Sequence, residues 1–225
     1  MITSPLAAGK DAGGAFARVP RSVGTVTDRR LAALRGALAS RPPLTAAPGL
    51  AAPRAAVALL LRSAAPDPEL LLIRRAEREG DPWSGHMALP GGRASPMDTD
   101  LAATAVRETR EEVGIDPARQ GALLGALDEV TPRSARAPSI VVAPFVFAVH
   151  ASAPVVANHE VETALWVPLG ELLRPEAVTE YLHELAEGAT LAFPAFDARG
   201  YVVWGLTHRI LTGFLELYAQ VVAEG

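Results

Sequence analysis

Gly91-Gly92-Arg93-Ala94-Ser95-Pro96-Met97-Asp98-Thr99-Asp100 runs into Leu101-Ala102-Ala103-Thr104-Ala105-Val106-Arg107-Glu108-Thr109-Arg110-Glu111-Glu112-Val113-Gly114-Ile115, and this stretch decides how the chain is read. Placed on a helix, Glu108, Glu111 and Glu112 stand i, i+3 and i+4 apart and share one face. Ala102, Val106, Thr109 and Val113 fall on another face, a stripe suited to packing on a sheet. Like charges at this spacing repel by roughly a few tenths of a kcal/mol per pair. A purely structural helix gains nothing from that. A helix that holds a divalent cation does, because Mg²⁺ and Mn²⁺ prefer oxygen-rich sites. The plainer alternative is an acidic solvated helix after a Gly-Gly turn.

The flanks place this helix. Asp98, Thr99 or Asp100 can cap its start, and Gly114 suits a left-handed C-terminal position. Upstream, Ala55 to Leu61 is a short apolar run that suits a buried strand, and Pro66-Asp67-Pro68 turns the chain into a second strand from Glu69 to Arg74. Met87-Ala88-Leu89 is a brief strand ending at Pro90-Gly91-Gly92, where the absence of Cβ atoms lets backbone approach a metal or phosphate. Downstream, strands are predicted near 121–130, 139–149 and 163–167, with short helices at Leu169–Leu173 and at Val178–Glu187, the latter stopped by Gly188. Leu191–Phe196 and Tyr201–Trp204 flank a hairpin turn at Asp197-Ala198-Arg199-Gly200, and a last helix is predicted from about Leu206 to Val222. Interleaved strands and helices give an α/β layered domain.

Residues 1–24 carry Gly, Ala, Ser and Arg without a period and read as a flexible tail. Residues 25–50 read as an N-terminal helix, about 29–40 with Leu31, Leu34 and Leu38 on one face, and a Pro-rich linker. The main domain is then 51–225.

Composition excludes several classes. No cysteine means no disulfide, thiolate metal site or cysteine nucleophile. The net charge is −4, Lys10 is the lone lysine and no basic run stands out, which argues against nucleic acid as partner. No apolar run approaches 18 residues, so no membrane span is expected. The start lacks a secretion pattern, so the expected location is cytoplasmic.

The segment from Arg107 to Ile115, behind Gly91-Gly92, resembles the box of the Nudix hydrolases, with Thr109 in an aliphatic slot. Five residues separate Gly92 from Asp98, which stands where the usual box has Glu, and eight separate Asp98 from Arg107, one more than usual. This expansion is similar to the coenzyme A pyrophosphatase branch, as are Thr104-Ala105 and Trp204-Gly205-Leu206-Thr207. That branch's upstream motif is half matched: Leu71-Leu72-Ile73-Arg74-Arg75-Ala76 has Ile73 in place of Thr, Asp81 falls where an Arg is usual, and Leu89 replaces Phe. The resemblance implies an α/β/α sandwich with a mixed β-sheet, here with an N-terminal helical extension. It implies hydrolysis of a nucleoside diphosphate linked to another moiety, with Mg²⁺ or Mn²⁺ as cofactor and a small-molecule nucleotide as partner. Coenzyme A or its thioesters rank narrowly ahead of a dinucleotide, ADP-ribose or a nucleotide sugar. A binding module of the same fold without catalysis is the other class of reading, and a homodimer is left open.

The same resemblance assigns roles. Glu111 and Glu112 are the main metal ligands, Glu108 completes the shell, and a carbonyl around Gly91 or Gly92 joins it. Arg107 holds a glutamate in place. A later acidic residue is expected as ligand or base; in Asn158-His159-Glu160-Val161-Glu162, Glu160 is favoured over Glu162, with a solvated loop carboxylate as the alternative for either. Asp98 is read as the helix cap ahead of a second metal ligand. Arg75, His86 and Arg133 are the substrate-contact candidates, His86 also being explicable as a satisfied loop histidine. Trp83 and Phe145 are candidates for stacking on a base, or core.

Overall fold

Strand β1 (Arg54–Arg62) is apolar on both sides, and the fold is built around that fact. Ala55, Leu59 and Leu61 pack into one core, while Ala56, Ala58 and Leu60 pack into a second. A strand covered on both faces needs no polar alternation. The computed structural model describes residues 26–46, 52–80, 83–132, 139–184 and 190–223. The tail, Asp81, Arg133 and Gly188 lie outside the described residues.

The order along the chain is α1 (Arg29–Ser40), β1, β2 (Glu69–Arg75), β3 (Met87–Ala88), β4 (Gly91–Arg93), α2 (Leu101–Val113), β5 (Gly121–Ala126), β6 (Val141–Val149), β7 (Val161–Pro168), α3 (Leu169–Leu172), β8 (Val178–Glu184), β9 (Thr190–Ala198), β10 (Tyr201–Trp204) and α4 (Gly205–Ala223). Among the described residues the main sheet has seven strands, with β1 parallel to β6 and the other pairings antiparallel. Helix α2 covers one face; α1 and α4 pack into the core on the other. This is the α/β/α layering with a mixed sheet that the sequence implied.

The sheet splits where the site forms. β1 and β2 pair at Leu61–Leu70 and Arg62–Glu69, beside their connecting turn. Farther along, β4 takes over the edge of β1 at Ala55–Val57, while β3 pairs with β2 at Ile73 and Arg74. The segment 87–93 therefore fills the widening gap between β1 and β2 and feeds directly into α2.

Three expectations are corrected. Val178–Glu184 is strand β8, not a helix; it pairs with β9 along its whole length. Its Val, Thr and Tyr favour a pleated surface, and pairing with β9 decides for the strand. The cap of α2 is Asp100, whose side chain accepts from the Ala103 N–H, so Asp98 is free for another task. The stretch predicted as a strand over 121–130 ends at Ala126, with Val130 making an isolated bridge to Val142. A second sheet, ordered β10-β9-β8, buries Phe196, Ala198 and Val203 in the core shared with α4. Among the described residues no helix is long and apolar enough to cross a membrane.

Candidate active site

Helix α2 meets the gap in the sheet through Glu112. This residue is 3% exposed, and its carboxylate accepts the Gly91 N–H at 2.8 Å. Burial pushes its pKa up to about 7, with the Gly91 hydrogen bond and the Arg75 charge opposing and the Glu108 and Glu160 charges adding. Burial also raises Glu108, against the pull of Arg107. Glu111 lies at the solvent side of the row, with its side chain half exposed.

The backbone of β4 explains why Gly91 reaches Glu112. Ala58 donates to the Pro90 carbonyl and Ala94 to the Arg54 carbonyl. Hydrogen-bonded pairs recur every second residue in an antiparallel ladder. Gly92, midway, is paired with Ala56 and turns its polar groups toward β1, whereas Gly91 turns its own toward α2. Gly92 instead contributes an absent side chain: a Cβ there would stand 2.5 Å from the Glu108 carboxylate carbon.

Arg107 organises the row. It donates to both oxygens of Asp98 at 2.9 and 3.0 Å, to Glu108 at 2.8 Å, to Glu111 at 3.2 Å and to the Arg93 carbonyl at 3.1 Å. Asp98 also accepts from the Ser95 N–H and the Thr104 hydroxyl. These donors, Arg107 foremost, hold the Asp98 carboxyl far below the usual carboxylate range. Asp98 is thus the clamp on Arg107, neither helix cap nor member of the glutamate row.

The loop before β7 brings Glu160 alongside. Asn158 donates its N–H to the Glu112 carbonyl at 2.9 Å, and its side chain accepts the Glu160 N–H at 2.8 Å. Ala76, at the end of β2, donates to the Glu160 carbonyl at 2.8 Å. The Glu160 side chain lies 3.5 Å from Arg78 and its charge reaches both Glu108 and Glu112. Glu162 pairs with Arg74 instead. Asn158 is a site residue whose role sequence reasoning missed; an Asn two residues before the acidic candidate is an Asx-turn signal that could have found it.

Of the substrate-contact candidates, Arg75 and His86 face each other across β2 and the lead-in to β3, the Arg75 N–H donating to the His86 carbonyl at 3.0 Å. Phe145 is 4% exposed in the core under α2, so it is not a stacking surface, whereas Trp83 is 40% exposed.

The donor set fits a hard divalent cation. Glu112 is a buried carboxylate with one hydrogen bond for its several acceptor positions, and Glu108, Glu111 and Glu160 offer only oxygen. Among the described residues no three such side chains converge on one point, and Arg107 bonds both Glu108 and Glu111.

A protein from Schizosaccharomyces pombe is 41% identical over 133 residues, spanning 57% of this chain but 40% of that protein. The Nudix hydrolase NudL of Yersinia pestis is 36% identical over 150 residues, 65% of this chain and 70% of that one. Among solved structures, a MutT/nudix family protein from Enterococcus faecalis aligns with a TM-score of 0.49 at 19% identity over 76% of this chain and 62% of its own. A C. elegans Ap4A hydrolase aligns with a TM-score of 0.43 at 23% identity over 52% and 81%. The model of the NUDIX domain matches residues 52–187, and on that match, more than half the chain, the protein belongs to the NUDIX domain family.

Proposed function

We propose that the protein is a hydrolase, dependent on Mg²⁺ or Mn²⁺, that cleaves the diphosphate linkage of a small nucleotide derivative. The observation that carries this reading is Glu112: a buried carboxylate at an elevated pKa, beside two further glutamates on the same helical face and a fourth on the Asn158–Glu160 loop.

In this reading Glu112, Glu111 and Glu108 hold the cation, with the Gly91 carbonyl on the same side of the strand as the amide that meets Glu112; Gly92 gives Glu108 its space. When bound, the cation neutralises phosphate charge and lowers the pKa of a coordinated water. Arg107 acts as a positioning residue, held by Asp98 and holding Glu108 and Glu111. Glu160 accepts a proton from the attacking water; its anchor through Asn158 beside Glu112 supports this role. Arg75 and His86, with Arg133, contact the substrate. The transition state spreads negative charge over phosphoryl oxygens, so positioning and charge stabilisation are the protein's main work.

Coenzyme A or its thioesters lead as substrate, on the expanded spacing before Arg107 and the Trp204-Gly205 element. Ile73 and Leu89, which depart from that branch, are buried core residues, so those two departures bear on packing more than on ligand contact. Dinucleotides, ADP-ribose and nucleotide sugars are the competing substrates.

The test is hydrolysis of coenzyme A, NADH, ADP-ribose and diadenosine polyphosphates with Mg²⁺ and with EDTA. Metal-dependent cleavage is expected, and Glu111→Gln and Glu112→Gln should each lower kcat at least about a hundredfold. Full activity in EDTA, or in both variants, overturns the reading. A coenzyme A kcat/KM tenfold or more below any competitor removes coenzyme A from first place.

A further inference from the structure

Five rings gather where the second sheet meets the lead-in to β3. Trp204 and Tyr181 are stacked, with centroids 4.1 Å apart and planes at 19°. His86 meets Trp204 edge-on at 5.1 Å. Phe193 lies 5.5 Å and His183 6.1 Å from the same indole. The register explains their common side: Tyr181 pairs with Phe193, His183 with Leu191 and Trp204 with Ala195, and paired residues project to the same face. Alternation sends Glu180 and Glu184 to the opposite face. That opposite face is also the one that buries Phe196 and Val203.

The ring face is not consumed by the core. Tyr181, Phe193, Trp204 and His86 are half-buried and His183 is exposed. It is also continuous with the candidate active site. Arg75 bonds the His86 carbonyl, and the next residue, Ala76, bonds the Glu160 carbonyl. His86 and Glu160 thus flank the same strand end, about 10 Å apart by strand spacing.

We propose that this aromatic face is a ring-binding subsite that takes the nucleobase end of the substrate while the diphosphate lies at the α2 carboxylates. The proposal rests on the hydrolase reading above and names the part of the substrate it recognises. Every base offers a π-face, so a wall of rings accepts a planar heterocycle by stacking; Asp197, the one carboxylate of β9 on this face, stands at the turn end of the strand. His183 and His86 supply polar atoms at its rim.

The test is a titration that needs neither metal nor turnover. Trp83→Phe with Trp166→Phe leaves Trp204 as the one tryptophan of the three in the chain. AMP in EDTA should quench its fluorescence saturably, and ribose 5-phosphate, which lacks the ring, should not. Tyr181→Phe should keep the AMP affinity, and Tyr181→Leu should weaken it at least about tenfold. His183→Ala, at an exposed position, should weaken it with the fold intact. On any diphosphate that is hydrolysed, His183→Ala should raise KM by a larger factor than it lowers kcat. No saturable quench in folded protein, or equal quenching by ribose 5-phosphate, overturns the subsite. Quenching without hydrolysis of any substrate keeps the subsite and removes the hydrolase reading. Hydrolysis without quenching or a KM effect does the reverse.

Discussion

Gly92 and Glu108 pack so closely that a methyl on Gly92 would overlap the Glu108 carboxylate, at 2.5 Å from its carbon. The obstacle is the mobile end of a side chain, so the fold can yield but the glutamate cannot stay. Gly92→Ala is therefore expected to lower kcat at least about tenfold, the lower range for misplacing a group at the chemistry, with Tm within a few degrees of wild type. Gly91→Ala should behave oppositely. Its Cβ would meet the Ala56 carbonyl at 2.3 Å and the Val57 Cα at 2.6 Å, both main chain of the central strand, at a φ of +156°. A loss of about 3 kcal/mol is expected from strain and overpacking. Thermal denaturation beside steady-state kinetics separates the two variants; similar Tm losses would show that Gly92 is a fold glycine.

Asp98 ties together Arg107, the Thr104 hydroxyl and the Ser95 N–H. Asp98→Ala should cost about 2 kcal/mol, the scale of losing hydrogen bonds to a charged group that is mostly shielded from water. Because the folded Asp98 carboxyl is held far below its ordinary value of 3.8, its contribution is fully present above that value and shrinks as the pH falls below it. The gap between wild type and variant in denaturant midpoint should therefore narrow from neutral pH toward about pH 3. A constant gap would locate the cost in packing instead.

Glu112 has the opposite sign. Its pKa rises from an ordinary 4.5 to about 7 on folding, so between those values the folded protein holds a proton that the unfolded chain has released. In EDTA, stability should fall as the pH rises through this window and level off above it. Glu112→Gln removes the titration, so its Tm should gain on wild type from pH 5 to pH 8. Parallel Tm profiles would mean that the carboxylate is not desolvated as its burial implies.

The parts that were legible in the sequence are those with a short period or a fixed spacing. The carboxylate row of α2, the β1–β2 hairpin and the Gly114 stop each follow from neighbouring residues. Glu160 is tied through Asn158 to the Glu112 backbone, while Arg74 occupies Glu162, and neither contact could be read from the spacing of the two glutamates. The Asp98 clamp was hidden because Asp98, Thr99 and Asp100 all suit a cap, and only the three-dimensional path of the loop assigns that task to Asp100. The β8 strand was misread because Val178, Tyr181 and Leu182 also fit a helical face, and the partner that decides, β9, begins beyond them. The ring face is assembled from positions 86, 181, 193 and 204 on separate segments, so no local spacing announces it.

Thr109 offers the last test, because it occupies the aliphatic slot of the box with a hydroxyl. It is fully buried on the sheet-facing side of α2, and its Oγ1 has no hydrogen-bond partner among the described residues. Thr and Val have nearly the same shape and similar helix propensities, so Thr109→Val exchanges an unsatisfied buried oxygen for a methyl group. Relief of the desolvation cost is about 1–3 kcal/mol, which for a domain of this size is a Tm rise of roughly 2–10 °C. Thr109 stands one turn before Glu112 but bonds none of the glutamates, so kcat/KM should stay within about twofold, about 0.4 kcal/mol. A drop in Tm would mean that the hydroxyl has a partner within the core, and Thr109→Ser, which keeps the oxygen and loses the methyl, would then retain the stability that Thr109→Val forfeits.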